Sequence, residues 1–185
     1  CQDNSIQYGD QSPFPKNLKE FDSSDCFSTV DNRMNSVVGK TIFRNNIFLE
    51  KIDLTDNQIV SIDKDAFIDC QNLKFLNIEF NRISNFEFLN NTYKNLIELK
   101  INENKYDIHS FEKILYQNKL PMLRRLSVDL YLMNINNKQG NIYYMNQWFE
   151  NIPHITHLLI QFNDRKNNDI IYNNVLNLTS IILPK

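Results

Sequence analysis

Leu49-Glu50-Lys51-Ile52-Asp53-Leu54-Thr55-Asp56-Asn57-Gln58-Ile59 returns as Leu73-Lys74-Phe75-Leu76-Asn77-Ile78-Glu79-Phe80-Asn81-Arg82-Ile83, 24 residues later (73 − 49). Both stretches read LxxLxLxxNxL. A third copy opens 23 residues further on (96 − 73), with Leu96, Leu99, Ile101, Asn104 and Tyr106 in the same places. Self-similarity at a fixed period of this size is the mark of a solenoid, in which every period is one coil stacked on the next. A set of short amphipathic helices would also place apolar residues every three or four positions, but it does not explain why Asn recurs at one phase among β-branched neighbours.

The spacing has a physical reading. A short strand alternates its side chains, so positions four and six point into the coil while three, five and seven point out. The Asn at position nine has a carbonyl and an NH2 with which to satisfy backbone groups in the buried turn that follows, and stacked coils predict an Asn ladder. Position eleven (Ile59, Ile83, Tyr106) turns inward again, and Ile62 and Phe67 fill the other half of the coil, Phe67 matching Phe43. No coil buries its apolar face alone; stability is shared between neighbours.

Working outward, Leu123, Leu126 and Val128 repeat the apolar triplet with Tyr131 in place of Asn, and Ile155, Leu158, Ile160 and Asn163 restore the pattern. Leu178, Ile181 and Leu183 form a last partial copy. Phe27, Val30 and Asn35 read as a degenerate first one, with polar Asn32 where an aliphatic residue belongs. The later periods are longer, and their extra residues carry helical spacing: Ile108, Phe111, Ile114 and Leu115, then Ile142, Met145, Trp148, Phe149 and Ile152. The expected organisation is a capping segment over 1–26 and an array of about six to seven repeats over 27–185, first and last degenerate.

Taken together, residues 49–86 resemble the leucine-rich repeats of extracellular proteins, including Toll-like receptor ectodomains and small secreted insect repeat proteins. The resemblance covers roughly Phe27 to Lys185. It implies an α/β, right-handed leucine-rich-repeat solenoid. Its curved parallel β-sheet lines the concave side, with irregular, 3-10 and short helical segments on the convex side. It also implies a secreted or cell-surface recognition module, with innate defence or cell-surface contact as its setting. Extracellular members often close the first coil with a disulfide-bonded cap, which implies a bridge between Cys1 and Cys26, although the usual cap holds more cysteines. Cys70, three residues before Leu73, reads as a buried free thiol. Asn90-Asn91-Thr92 and Asn177-Leu178-Thr179 are glycosylation acceptors if the chain is secreted by a eukaryote. Cys1 in the place of an initiating Met fits a removed signal peptide.

Composition excludes several functions. The net charge of −2 gives no electrostatic case for nucleic acid or anionic lipid. The three glycines, Gly9, Gly39 and Gly140, are too far apart to build a phosphate-cradling loop. No apolar run approaches the roughly 20 residues that span a bilayer. Neither a nucleophile elbow, an HExxH helix nor a CxxC pair is present, so no enzyme activity, cofactor or metal is expected. His154 and His157 would ligate a metal together only on a helix; the repeat register puts a strand there and sends the two rings apart. Arg124 reads as a residue at the coil edge and Arg125 as one on the exposed strand, both solvated.

The register assigns the outward face. Lys51, Asp53, Phe75, Asn77, Glu79, Glu98, Lys100, Arg125, Asp129, His157 and Leu159 are the expected ligand-binding residues for a protein or peptide partner. Apolar Phe75, Phe80, Leu130, Leu159 and Phe162 stand among acidic groups, an anchor-and-rim composition. For position eight (Phe80, Leu130, Phe162) a second reading stays open, in which the side chain packs on the next coil and serves only folding. An intracellular scaffold and a substrate-recruiting subunit of an enzyme complex are the alternative functions. The absence of a recognisable polar cap near Lys185 leaves a homodimer through the C-terminal end open as well.

Overall fold

The computed structural model describes residues 12–24, 36–106, 108–117, 119–130, 154–162 and 180–182. Seven parallel strands make one sheet, in the order β1 (Glu20–Asp22), β3 (Lys51–Asp53), β5 (Phe75–Asn77), β6 (Glu98–Lys100), β7 (Arg125–Leu130), β8 (His157–Phe162) and β9 (Ser180–Ile182). β2 (Ser36–Val38) and β4 (Ile59–Ile62) form a second, two-stranded parallel sheet. A 3-10 turn at Glu87–Asn90 and one helix, α1 (Ile108–Tyr116), complete the elements. Parallel strands joined by long crossovers, one strand per period, constitute the leucine-rich-repeat solenoid the spacing predicts. No described helix is long and apolar enough to cross a membrane.

Each coil is built in the same way because the same residue types recur. The leucine at position one is buried and closes a turn: Leu49 N donates to Asn46 O at 3.2 Å, Leu73 N to Cys70 O at 3.1 Å and Leu123 N to Leu120 O at 3.2 Å. The carbonyl at position two then accepts both amides of the next coil, as Glu50 O does from Lys74 N (2.8 Å) and Phe75 N (3.0 Å). Position four fills the interior: Ile52, Leu76 and Leu99 are in register and buried. Position six follows suit with Leu54, Ile78, Ile101 and Val128.

The Asn ladder is present. Asn81 Oδ1 accepts from Asn57 N (3.1 Å) and Ile59 N (2.9 Å) of the preceding coil, and its Nδ2 reaches Leu54 O, Ile78 O and Glu79 O at 2.9–3.0 Å. Asn104 repeats the arrangement one coil on, accepting from Ile83 N (3.0 Å) and donating to Ile78 O, Ile101 O and Asn102 O. Ile78 O thus joins the two rungs. The side opposite the sheet is filled by aromatic rings in sequence. Phe14, Phe43, Phe67, Phe88 and Phe86 follow one another at centroid distances of 5.5–5.9 Å, Phe21 of β1 meets Phe14 and Phe43 from the sheet at 4.6 and 5.2 Å, and Phe86 goes on to Tyr106 and Phe111.

α1 falls where the helical spacing of Ile108, Phe111, Ile114 and Leu115 placed it, with Phe111, Ile114 and Leu115 buried. The second helical stretch, Ile142 to Ile152, lies outside the described residues, as do Cys1, Cys26, the 26/27 boundary, Asn163 and Asn177. The start of the array differs from expectation. β1 lies directly beside β3, with Phe21 opposite Ile52, so the strand next to the second coil comes from residues 20–22 and not from the copy read at Phe27, Val30 and Asn35. The physical reason is visible in the residues: Leu18 and Phe21 stand three apart and both pack on the core, whereas the later reading required polar Asn32 to point inward.

Candidate functional site

Strand pairing assembles the outward residues into rows. Lys51, Phe75, Glu98, Arg125 and His157 align across five strands, and Asp53, Asn77, Lys100, Ser127 and Leu159 align one step further along. Ten of the eleven residues expected at the binding face are partly or fully exposed. The exception is Asp129, which the register turned outward and which is 0% exposed. Ser127 beside it is buried too. Alternation fails on β7 because the outer groups are held down by other coils. Ser127 Oγ donates to Glu79 Oε1 (3.1 Å), two coils away, and Asp129 Oδ2 accepts from the Glu103 amide. The Tyr106 hydroxyl donates to Asp129 O (3.2 Å) and accepts from Asp129 N (2.8 Å).

Charge is arranged unevenly over this face. Glu98 lies between two cations, with Oε1 3.6 Å from Lys100 Nζ and Oε2 3.1 Å from Arg125 Nη1. Glu50 pairs with Lys74 at 2.7 Å, which lowers the Glu50 carboxyl below its ordinary range through that hydrogen bond and the Lys74 charge. Positions seven and eight of the coils that open at Leu49, Leu73 and Leu96, just beyond the strand ends, are Thr55, Asp56, Glu79, Phe80, Asn102 and Glu103, with no cation among them. Burial raises the Glu79 carboxyl; the Ser127 hydrogen bond and Lys100 oppose this, while Asp53 and Glu98 add to it. Burial pushes Asp129 up to about 7, against the amide bond from Glu103 and with the help of the Glu103 and Glu79 charges.

A stability prediction follows from the buried carboxyl. Well below about pH 4 Asp129 is protonated in folded and unfolded chains alike. As pH rises towards 7 the unfolded chain loses this proton first, so the folded state is progressively disfavoured, and the decline ends once the folded group has ionised. Asp129→Asn keeps an acceptor for the Glu103 amide and removes the titration. It is expected to flatten the pH 4–7 decline in urea-unfolding stability and to gain on the order of 2–4 kcal/mol at pH 8.

Position eight carries the feature that sequence reasoning weighed too lightly. Asp56, Phe80 and Glu103, one per coil, all have φ of 54°, in the left-handed region. The turn into the Asn rung imposes it: Asp56 N donates to Glu79 O and Phe80 N to Asn102 O, both at 3.1 Å. That backbone directs Phe80 outward, 52% exposed, instead of onto the next coil. The three coils that carry the LxxLxLxxNxL turn share this conformation, whereas in the next two coils position eight, Leu130 and Phe162, ends β7 and β8 as extended strand.

Other candidate residues fall into place without forming a site. Cys70 is a buried free thiol, pushed up to about 12 by burial and by Asp69, far from reactive. Asn90 is exposed at the end of the 3-10 turn. His154 sits in a turn and His157 opens β8, where its Nδ1 lies 2.9 Å from Thr156 Oγ1. Arg124 and Arg125 are both exposed. Among the described residues no group of three or more His, Cys, Asp or Glu side chains is placed to hold a metal ion.

No curated protein matches the chain in sequence. The family model described as leucine rich repeat matches residues 30–83, which include the first two clear copies of the LxxLxLxxNxL pattern. With seven strands in parallel register and an Asn ladder between coils, the chain carries a leucine-rich-repeat domain, the kind of scaffold that serves as a protein-interaction module.

Proposed function

We propose that this protein is a non-catalytic recognition module that binds a protein or peptide ligand on the strand face of its solenoid. The observation that carries the reading is Phe80. A bulky side chain in the left-handed region costs on the order of 1 kcal/mol or more, and leaving half of a phenyl ring in water forgoes burial energy as well. Folding gains nothing from either, whereas an exposed aromatic group ringed by polar side chains is what an interface anchor requires. Phe75 lies on the same strand, half-buried in the outward row.

The test separates binding from folding. Asn tolerates the left-handed conformation better than Phe, so Phe80→Asn is expected to leave thermal stability unchanged or raise it by about 1 kcal/mol. In affinity capture from the native source, the same variant is expected to lose partners that wild type retains, as is Phe75→Ala/Lys100→Glu. Partners retained by both variants would move the binding surface off the strand face. A marked fall in melting temperature for Phe80→Asn would return the ring to a packing role.

The setting we infer is extracellular, in defence or cell-surface recognition, with a bridged Cys1 and Cys26 and glycan on Asn90 and Asn177. Support comes from the resemblance of residues 49–86 to extracellular repeats and from the exposure of Asn90. Three titratable thiols in the unfolded native protein, together with an unchanged mass after deglycosylation, would place it inside the cell.

A further inference from the structure

We infer that the partner presents a cationic segment, Lys or Arg side chains flanking an apolar group, to the corner of the strand face beyond β3, β5 and β6. This rests on the strand-face reading above and adds the chemistry of the occupant. Position eight runs Asp56, Phe80, Glu103 through three successive coils, and neighbouring strands of a sheet lie about 4.8 Å apart, so the exposed ring has an acidic residue on either side. Behind this row position seven supplies Glu79, and Asp53 closes the corner from β3. Of the cations of the face, Lys100 and Arg125 both engage Glu98, Lys51 stands in the first outward row on β3, and Lys100 also acts on Glu79 through its charge.

Asp53, Asp56, Glu79, Glu103 and Asp129 form no ion pair among the described residues. Arg82 and Lys105, beyond the Asn rungs, do not reach them either. Fully buried Asp129 adds an unmet acceptor beside this corner: its Oδ1 has no hydrogen-bond partner among the described residues, and its Oδ2 is tied to the Glu103 backbone. An aromatic face between acids attracts a guanidinium or ammonium group through the ring quadrupole as well as through the carboxylates. An anionic or neutral apolar partner would gain the ring contact and bury the acids unpaired, which is costly.

The inference is tested by fluorescence anisotropy with three labelled peptides on the full chain. One is a repeat of Gly-Lys-Leu-Gly-Arg-Leu; the others carry Gln or Glu in place of each Lys and Arg. Wild type is expected to prefer the cationic peptide to the Gln peptide by about ten-fold or more, with the preference shrinking as salt rises from about 0.05 to 0.3 M. Asp56→Asn/Glu103→Gln leaves backbone and packing untouched and is expected to weaken cationic-peptide binding about ten-fold. Equal binding of the three peptides, no binding of the cationic one, or unchanged affinity in the double variant would each overturn the inference. Capture that is lost in Phe80→Asn but insensitive to Asp56→Asn/Glu103→Gln would overturn the cationic partner while leaving the strand face as the binding surface.

Discussion

Asn81→Ala is expected to lower the unfolding free energy by about 3–5 kcal/mol, read from urea titration at constant m-value. One amide engages five backbone groups there: its oxygen accepts from the Asn57 and Ile59 amides, and its two N–H hydrogens are shared among the Leu54, Ile78 and Glu79 carbonyls. The side chain is almost fully buried, so truncation strands groups that water reaches poorly, each at a cost of about 1–3 kcal/mol before relaxation. Asn81→Asp is the sharper form of the experiment. It retains the two-amide acceptor but sets a carboxylate against three carbonyls, and it is expected to be worse than alanine at neutral pH and to recover in part as the pH is lowered. A loss below about 1 kcal/mol for alanine would mean that water takes over the rung.

The second large effect belongs to Phe86. Its ring meets Tyr106 at 4.7 Å, Phe88 at 5.9 Å and Phe111 of α1 at 5.9 Å, so it joins the aromatic filling of the short coils to the helical coil that follows. Phe86→Ala is expected to cost about 3–5 kcal/mol through lost burial and the cavity left behind. Hydrogen exchange should show the amides of α1 losing protection ahead of β3 and β5, because α1 loses the ring contact between Phe111 and Phe86. Uniform loss of protection across all coils would show instead that the described solenoid unfolds as a single unit.

Much of this architecture was legible because it rests on period and phase. Leu49, Leu73 and Leu96 fixed the starts of three coils, and Asn57, Asn81 and Asn104 their turns; the observed strands Lys51–Asp53, Phe75–Asn77 and Glu98–Lys100 lie where alternation from those leucines puts them. The first strand was not legible because its inward position six is Ser23 and its neighbours are acidic, leaving only Leu18 and Phe21 to mark the register. On the strand face, alternation assigned sides but not depth. Nothing local to Asp129 announces that the Glu103 amide and the Tyr106 hydroxyl will cover it, since both arrive from a coil 23 or more residues away. Phe80 stayed undecided between anchor and packing for a related reason: hydrophobicity allows both, while the backbone conformation that turns it outward is set by hydrogen bonds from the neighbouring coil.

The junctions between coils have one more consequence. Glu50 O receives the amides of Lys74 and Phe75, and Lys74 O receives those of Ile97 and Glu98, so the docking edge each coil offers is the same edge its successor offers. Excision of residues 73–95 would therefore bring Ile97 and Glu98 to the carbonyl of Glu50 with register intact and the rung at Asn104 facing the turn at Asn57. A chain built on such interchangeable joints can lengthen or shorten by whole coils without a new interface having to arise, and its reach becomes a quantity that duplication can set independently of what its surface recognises.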